Sequence, residues 1–209
     1  MTAETAEIKK GRKFEQVLNG AREVFMRDGF EGASVDDIAR VAGVSKATLY
    51  SYFPDKRLLF SEVAKVECNR QADGATAEID IDAPVEVNLA AAARHLVGFF
   101  LSDFGSQVFR ICVSEAPRFP DLGKRFYASG PALVRERMIP VLKSYADKGE
   151  LEIEDFDLAV NQFAELCKSD LFVRKLCGLQ SEFSQDDVDR IIEGAVEMFV
   201  ARYGVERET

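Results

Sequence analysis

The chain has 209 residues, 47% of them hydrophobic, with 27 Lys and Arg against 36 Asp and Glu for a formal net charge of -9. That apolar share supports a packed core and excludes wholesale disorder. No stretch has the roughly 18 uncharged apolar residues of a membrane span, so no membrane partner is expected.

The first residues, Thr2, Glu4, Glu7, Lys9 and Lys10, lack the basic-then-apolar order of a secretion signal, so a cytoplasmic protein is expected. Helical periodicity recurs along the chain while alternating runs are missing, and this predicts an all-α protein. The first helix is predicted from about Gly11 to Arg27, with Phe14, Val17, Leu18, Ala21, Val24 and Phe25 on one face and Gly29 as its stop. Gly20 in its middle costs about 1 kcal/mol relative to Ala.

Helices follow at about Ser34–Val41, Ser45–Phe53 and Asp55–Asp73, then a polar connector from Gly74 to Pro84. An apolar helix is predicted over Val85–Phe104, another over Ser106–Glu115 and a short one after Pro120. Pro131 suits the first position of a helix reaching Lys148, with Pro140 predicting a kink. The last two helices are predicted over about Asp155–Phe172 and Ser184–Tyr203, making about nine in all.

Ser34 and Asp37 form a capping box for the second helix, whose buried face is Val35, Ile38 and Ala39. Gly43 supplies a left-handed turn, and Val44 plugs the corner. Ser45 caps the third helix without help from Thr48, whose hydroxyl is expected to be free. Leu49 and Phe53 point to the core, leaving Lys46, Ala47, Thr48, Tyr50 and Tyr52 on the outside, as in a helix that enters a major groove. Pro54 ends it and Asp55 caps the fourth helix. Lys56 and Arg57 then sit in a first turn, where cations oppose the macrodipole, so an external anion such as a DNA phosphate is expected there.

Charge distribution agrees with a DNA partner. Up to Arg57 there are ten Lys and Arg and nine Asp and Glu, so the acidic surplus lies wholly in the remainder.

The block from Gly43 to Lys56, Gly-Val-Ser-x-x-Thr-Leu-Tyr-x-Tyr-Phe-x-x-Lys, resembles the signature of the TetR/AcrR family of transcriptional regulators. The segment Glu115-Ala116-Pro117-Arg118-Phe119-Pro120-Asp121-Leu122 further resembles the AefR-type C-terminal subgroup. The resemblance implies an N-terminal three-helix helix-turn-helix DNA-binding domain over residues 1–56 and a larger helical ligand-binding and dimerisation domain over 57–209. It implies that Lys46 and Thr48 approach base edges, with Ala47 beside them, that Tyr50, Tyr52, Ser34 and its neighbouring amide meet phosphates beside the Ser45 cap, and that Lys56 anchors the backbone. Gly20, and Asp36 and Asp37 in the second helix, depart from the pattern; the two aspartates make that helix a scaffold and not a base reader.

Most phenylalanines of the larger domain read as core at helical spacing. The resemblance implies a pocket among the middle helices for an apolar small molecule, with His95, Phe99, Arg110, Tyr127, Asn161 and Phe163 as candidate contacts or plain structural residues. The last helix carries Val188, Ile192, Val196 and Phe199, an arc broader than one neighbour needs. That arc serves either the chain's own core or, with Phe156 and Val160, a four-helix interface with a symmetry mate; the homodimer is the reading taken.

The expected function is a ligand-responsive regulator, a repressor by the family's usual outcome, that binds a palindromic operator as a dimer and is released by a small apolar ligand. The alternative is a helical ligand-binding or interaction protein without DNA binding. With His95 as the sole histidine, four scattered cysteines and no glycine-rich phosphate loop, no enzyme, metal or cofactor is expected.

Overall fold

The computed structural model describes residues 11–205. Eleven helices run through these residues, in two compact units that divide at Val66 and Glu67, inside the fourth helix.

In the first unit, α1 (Arg12–Gly32) buries Phe14, Val17, Ala21, Val24 and Phe25, the face its periodicity predicts. Gly29 interrupts it as expected, at φ 70°, but the chain resumes for one turn before Ala33 ends it. α2 (Val35–Ala42) starts at the Ser34 cap, whose hydroxyl accepts from Asp37 N at 3.0 Å, and ends at Gly43 with φ 64°. α3 (Lys46–Tyr52) and α4 (Lys56–Ala77) follow, α4 extending past the predicted end into the expected connector.

Gly20 has a packing reason that propensity alone hides. A Cβ there would stand 2.7 Å from both Cβ and N of Ala42, so the missing side chain is what lets α1 and α2 touch.

The second unit contains α5 (Val85–Leu101), α6 (Asp103–Glu115), α7 (Pro120–Ser129), α8 (Pro131–Asp147), α9 (Phe156–Leu166), α10 (Leu171–Leu176) and α11 (Gln185–Tyr203). Its core joins α5, α8, α9 and α11 through residues such as Leu89, Val97, Leu142, Tyr145, Phe163 and Phe199. Two predicted helices are shorter than expected, each for a local reason. Ser102 ends α5 in an extended conformation and at once caps α6 by accepting from Gly105 N at 3.0 Å. Asp170, at φ 56°, separates α9 from α10 where one continuous helix was predicted.

Pro140 lies inside α8, which continues through it. The connector before α5 is pinned to the core: Tyr145 donates to Ala83 O at 2.7 Å, and Asn88 Nδ2 donates to Asp80 O at 2.7 Å and also to the Tyr145 hydroxyl. Among the described residues the only β pairing is an isolated antiparallel bridge between Leu151 and Gly204, and no single helix is long and apolar enough to cross a membrane.

Candidate nucleic-acid interface

The corner between α2 and α3 holds α3 by one buried residue. Leu49 is 1% exposed, and Phe53 just beyond the helix is buried against Phe14. The rest of this two-turn helix is left outward: Lys46, Ala47, Tyr50 and Ser51 are exposed and Thr48 is half-buried.

Tyr50, at 49% exposure, is a large aromatic on the surface of a domain with a well-filled core. Tyr52 differs: it is half-buried, its ring meeting Phe14 edge-on at 5.6 Å, so packing positions this tyrosine.

Ser45 accepts from Thr48 N at 3.1 Å and so caps α3. Thr48 is not free, contrary to expectation. Its hydroxyl lies 2.9 Å from the Ser45 hydroxyl, because the capping geometry brings the first and third positions of the turn together. Ser34 spends its hydroxyl similarly, accepting from Asp37 N and donating to Asp37 Oδ2 at 3.2 Å. Asp37 also accepts from Arg40 at 2.7 Å, and these bonds, Arg40 first, hold its carboxyl below the ordinary carboxylate range.

The two cations after Pro54 are the largest correction. Lys56 turns inward, its ammonium donating to Phe30 O at 2.8 Å and Ala33 O at 3.0 Å and lying 4.4 Å from the Phe30 ring centre. Carbonyls freed at the end of α1 are what this ammonium neutralises, so the macrodipole argument for an external anion at this position fails. Arg57 likewise pairs with Asp55 at 2.6 Å, and that bond depresses the Asp55 carboxyl.

Lys46, by contrast, forms among the described residues only a surface pair with Asp36 of α2, its side chain 59% exposed and that of Asp36 66%. An exposed pair of this kind contributes about 0–1 kcal/mol, so Lys46 is easily released to another anion.

The second unit encloses a cavity of about 210 Å³ among residues of α4 to α10. A chain of ring contacts from Phe99 through Phe100, Phe172 and Phe109 to Phe126 forms much of its wall, at centroid distances of 5.1 to 6.3 Å. Of the residues named from sequence, His95, Phe99 and Asn161 line it. The other three do not. Arg110 is exposed and donates to Leu176 O at 3.1 Å; Tyr127 is exposed under Arg135; Phe163 is fully buried in the core. Phe163 faces inward because α9 puts its core stripe, Ala159, Val160 and Phe163, against α11.

Sequence reasoning missed Arg137, which lines the cavity from α8. The signal was present: Val134, Arg137, Met138 and Val141 share one helical face, and a guanidinium there breaks an otherwise apolar stripe.

The residues named for a dimer interface are mostly spent inside the chain's own core. Val160, Ile192, Val196 and Phe199 are buried in its own core, and Phe156 and Val188 pack partly buried against it. Exposed instead on the same helices are Leu158 of α9 and Met198 of α11, at 49% and 61%.

Residues 87–205 match the family described as AefR-like transcriptional repressor, C-terminal domain, and residues 17–63 match that described as bacterial regulatory proteins, tetR family. The HTH-type transcriptional repressor AcnR of Corynebacterium efficiens is 34% identical over 59 residues, 28% of this chain and 31% of that protein. The HTH-type transcriptional regulator RutR of Escherichia coli is 40% identical over 53 residues, 25% of each chain, so these matches take in under a third of either relative.

Solved structures align over nearly the whole chain. A TetR-family regulator from Mesorhizobium loti is 26% identical with a TM-score of 0.79, over 95% of this chain and 100% of that one. The flavonoid-responsive regulator FrrA is 31% identical with a TM-score of 0.69, over 94% of this chain and 100% of its own.

Proposed function

The chain belongs to the TetR family of transcriptional regulators, and on that premise we propose that it is a repressor that binds a palindromic operator as a homodimer and leaves it when a small apolar ligand fills the cavity of the second unit. The observation that carries the DNA half is α3 itself. Lys46, Ala47 and Tyr50 stand exposed around the single buried anchor Leu49, with Thr48 beside them, a surface with no packing use. Lys46 and Thr48 would approach base edges, and Tyr50, with Tyr52 at the rim, would meet phosphates beside the Ser34 and Ser45 turns.

Lys56 has a different part in this reading. By neutralising the end of α1 it holds the scaffold on which α2 and α3 rest. Two copies are needed because one short helix reads too few bases for specificity, and the exposed Leu158 and Met198 on α9 and α11 offer an apolar contact for the second copy. The ligand half is supported by the aromatic cavity and by the flavonoid response named for FrrA, which makes planar phenolic compounds the first class to screen. Such a ligand would favour a conformer whose two reading helices no longer match successive grooves.

The test is selection of bound sequences from random duplex DNA by the full chain. A two-fold palindrome should emerge, and Tyr50→Ala and Lys46→Ala should each weaken its binding, with a shallower salt dependence for Lys46→Ala. Failure to enrich any palindrome, or variants that bind like the parent, would refute the proposal.

A further inference from the structure

The polar groups around the cavity are almost all occupied by partners. His95 Nε2 lies 3.1 Å from Glu78 Oε1, Lys168 pairs with Glu165 at 2.6 Å, and Asn161 Oδ1 accepts from Arg135 at 3.3 Å. Arg137 differs. Its Nη2 donates to Asp73 at 2.9 Å, but its Nε, buried from solvent, has no hydrogen-bond partner among the described residues.

A buried donor without an acceptor is a cost that a folded protein seldom leaves standing. Arg137 also occupies a particular place. It lines both the larger cavity and a smaller one of about 50 Å³ beside it, which share Ala75, Ala92 and Met138 as common walls. The remaining wall of the smaller space is mostly apolar, with Ile79, Val85, Leu89, Val141 and Leu142, and its polar members Thr76, Asn88 and Tyr145 donate to backbone carbonyls of Ala72, Asp80 and Ala83. Between two largely apolar compartments whose other polar groups are mostly bonded, Arg137 therefore supplies one unspent cationic donor.

Resting on the reading of the cavity as a ligand site, we propose that Arg137 selects the ligand's chemistry: an apolar, ring-bearing compound with an acidic or strongly accepting group, such as a carboxylate, sulfonate or phenolate, seated on the guanidinium. The ring system packs against Phe99, Phe100, Phe109, Phe126 and Phe172, and the acceptor takes the position at which the guanidinium lacks a bond. A planar fork with a fixed Nε–H donor suits this better than an ammonium, so Lys at 137 restores charge without the geometry. Among the described residues Asp73 is the sole carboxylate bonded to this guanidinium, and at 65% exposure it screens the charge only weakly.

Two fluorescent probes with the same ring frame separate the terms: 8-anilinonaphthalene-1-sulfonate, which carries the anion, and N-phenyl-1-naphthylamine, which does not. Wild-type chain should bind the sulfonate about tenfold more tightly than the neutral probe, the scale of one charge-assisted hydrogen bond. Arg137→Gln should abolish that preference while leaving the neutral probe within about twofold, and Arg137→Lys should keep only part of it. Ala72→Phe, which narrows the cavity from α4, should weaken both probes.

Equal losses for both probes in Arg137→Gln, or an unchanged preference, overturn the selection by Arg137 while leaving the cavity a ligand site. Binding of neither probe, or binding untouched by Ala72→Phe, overturns the cavity reading and this inference with it. Circular dichroism on each variant reports folding, and the Lys variant supplies the answer if the Gln variant unfolds.

Discussion

Replacing Gly20 with Ala should destabilise the first unit although alanine is the better helix former. Relieving the 2.7 Å approach of the new Cβ to Ala42 requires α1 and α2 to part by about 0.8 Å before carbon atoms reach favourable separation. The atoms met include N and Cα of Ala42, which are backbone and cannot swing aside as a flexible side-chain end would. Overpacking costs typically about 1–3 kcal/mol, here toward the upper end, and the gain from helix propensity returns about 1 kcal/mol. The net loss is about 2 kcal/mol, equivalent to a fall of roughly 8–16 °C in the melting temperature of a unit this small.

Gly98→Ala in α5 is the control, since a Cβ there meets nothing within 4 Å; the same propensity gain should raise stability by about 0.5–1 kcal/mol. Scanning calorimetry and urea unfolding of the full chain would measure both variants. Hydrogen exchange across residues 14–25 and 35–42 would assign the loss to the contact between α1 and α2. If Gly20→Ala matched or exceeded the parent in stability, the close helix approach would not be what the glycine serves.

Four further outcomes are expected. On the proposed role of α3, Asp36→Asn should tighten duplex binding several-fold at low salt, because it removes a negative charge beside that helix and frees Lys46; a shift assay over a salt series checks it. The Arg57 hydrogen bond depresses the Asp55 carboxyl below its unfolded value, so the stability it gives is present above the ordinary carboxylate range and lost as pH falls through the depressed value. Asp55→Asn should therefore melt lower at pH 7 and show a flatter decline of melting temperature toward pH 3, as titration of the melting point would read. Burial pushes the thiols of Cys68 and Cys167 up to about 12 and that of Cys112 to about 11, while Cys177 is exposed; Ellman's reagent at pH 8 should find one fast thiol per chain and the other three only on unfolding. Tyr145→Phe, which strands Ala83 O and removes one of the partners of Asn88, should cost about 1–3 kcal/mol in urea unfolding, with loosened exchange in residues 80–84.

The all-helical fold and the outward face of α3 were legible in the chain because both rest on local chemistry. Ser34, Gly43, Ser45 and Pro54 set caps, a left-handed corner and a stop within a few residues of where they act, and the buried face of α1 follows from its period. Shorter elements were less legible. Ser102 and Asp170 break segments whose apolar pattern runs on, since pattern reports burial and not backbone angle.

Side-chain partnerships across the fold were not legible at all. Nothing near Lys56 in the chain announces that its ammonium meets carbonyls of Phe30 and Ala33, and nothing near Gly20 announces Ala42. The same holds for the cavity, where Phe99, Phe109, Phe126 and Phe172 come from four helices, and for Phe163, whose apolar character fits a pocket wall as well as a core. What the residue order by itself determined was helix, turn and the outward face of α3, because capping and periodicity act over a turn or two. Only the tertiary structure decided which cations were already spent, which aromatics enclose space and which donor was left over, because those depend on groups tens of residues apart meeting at hydrogen-bond distance.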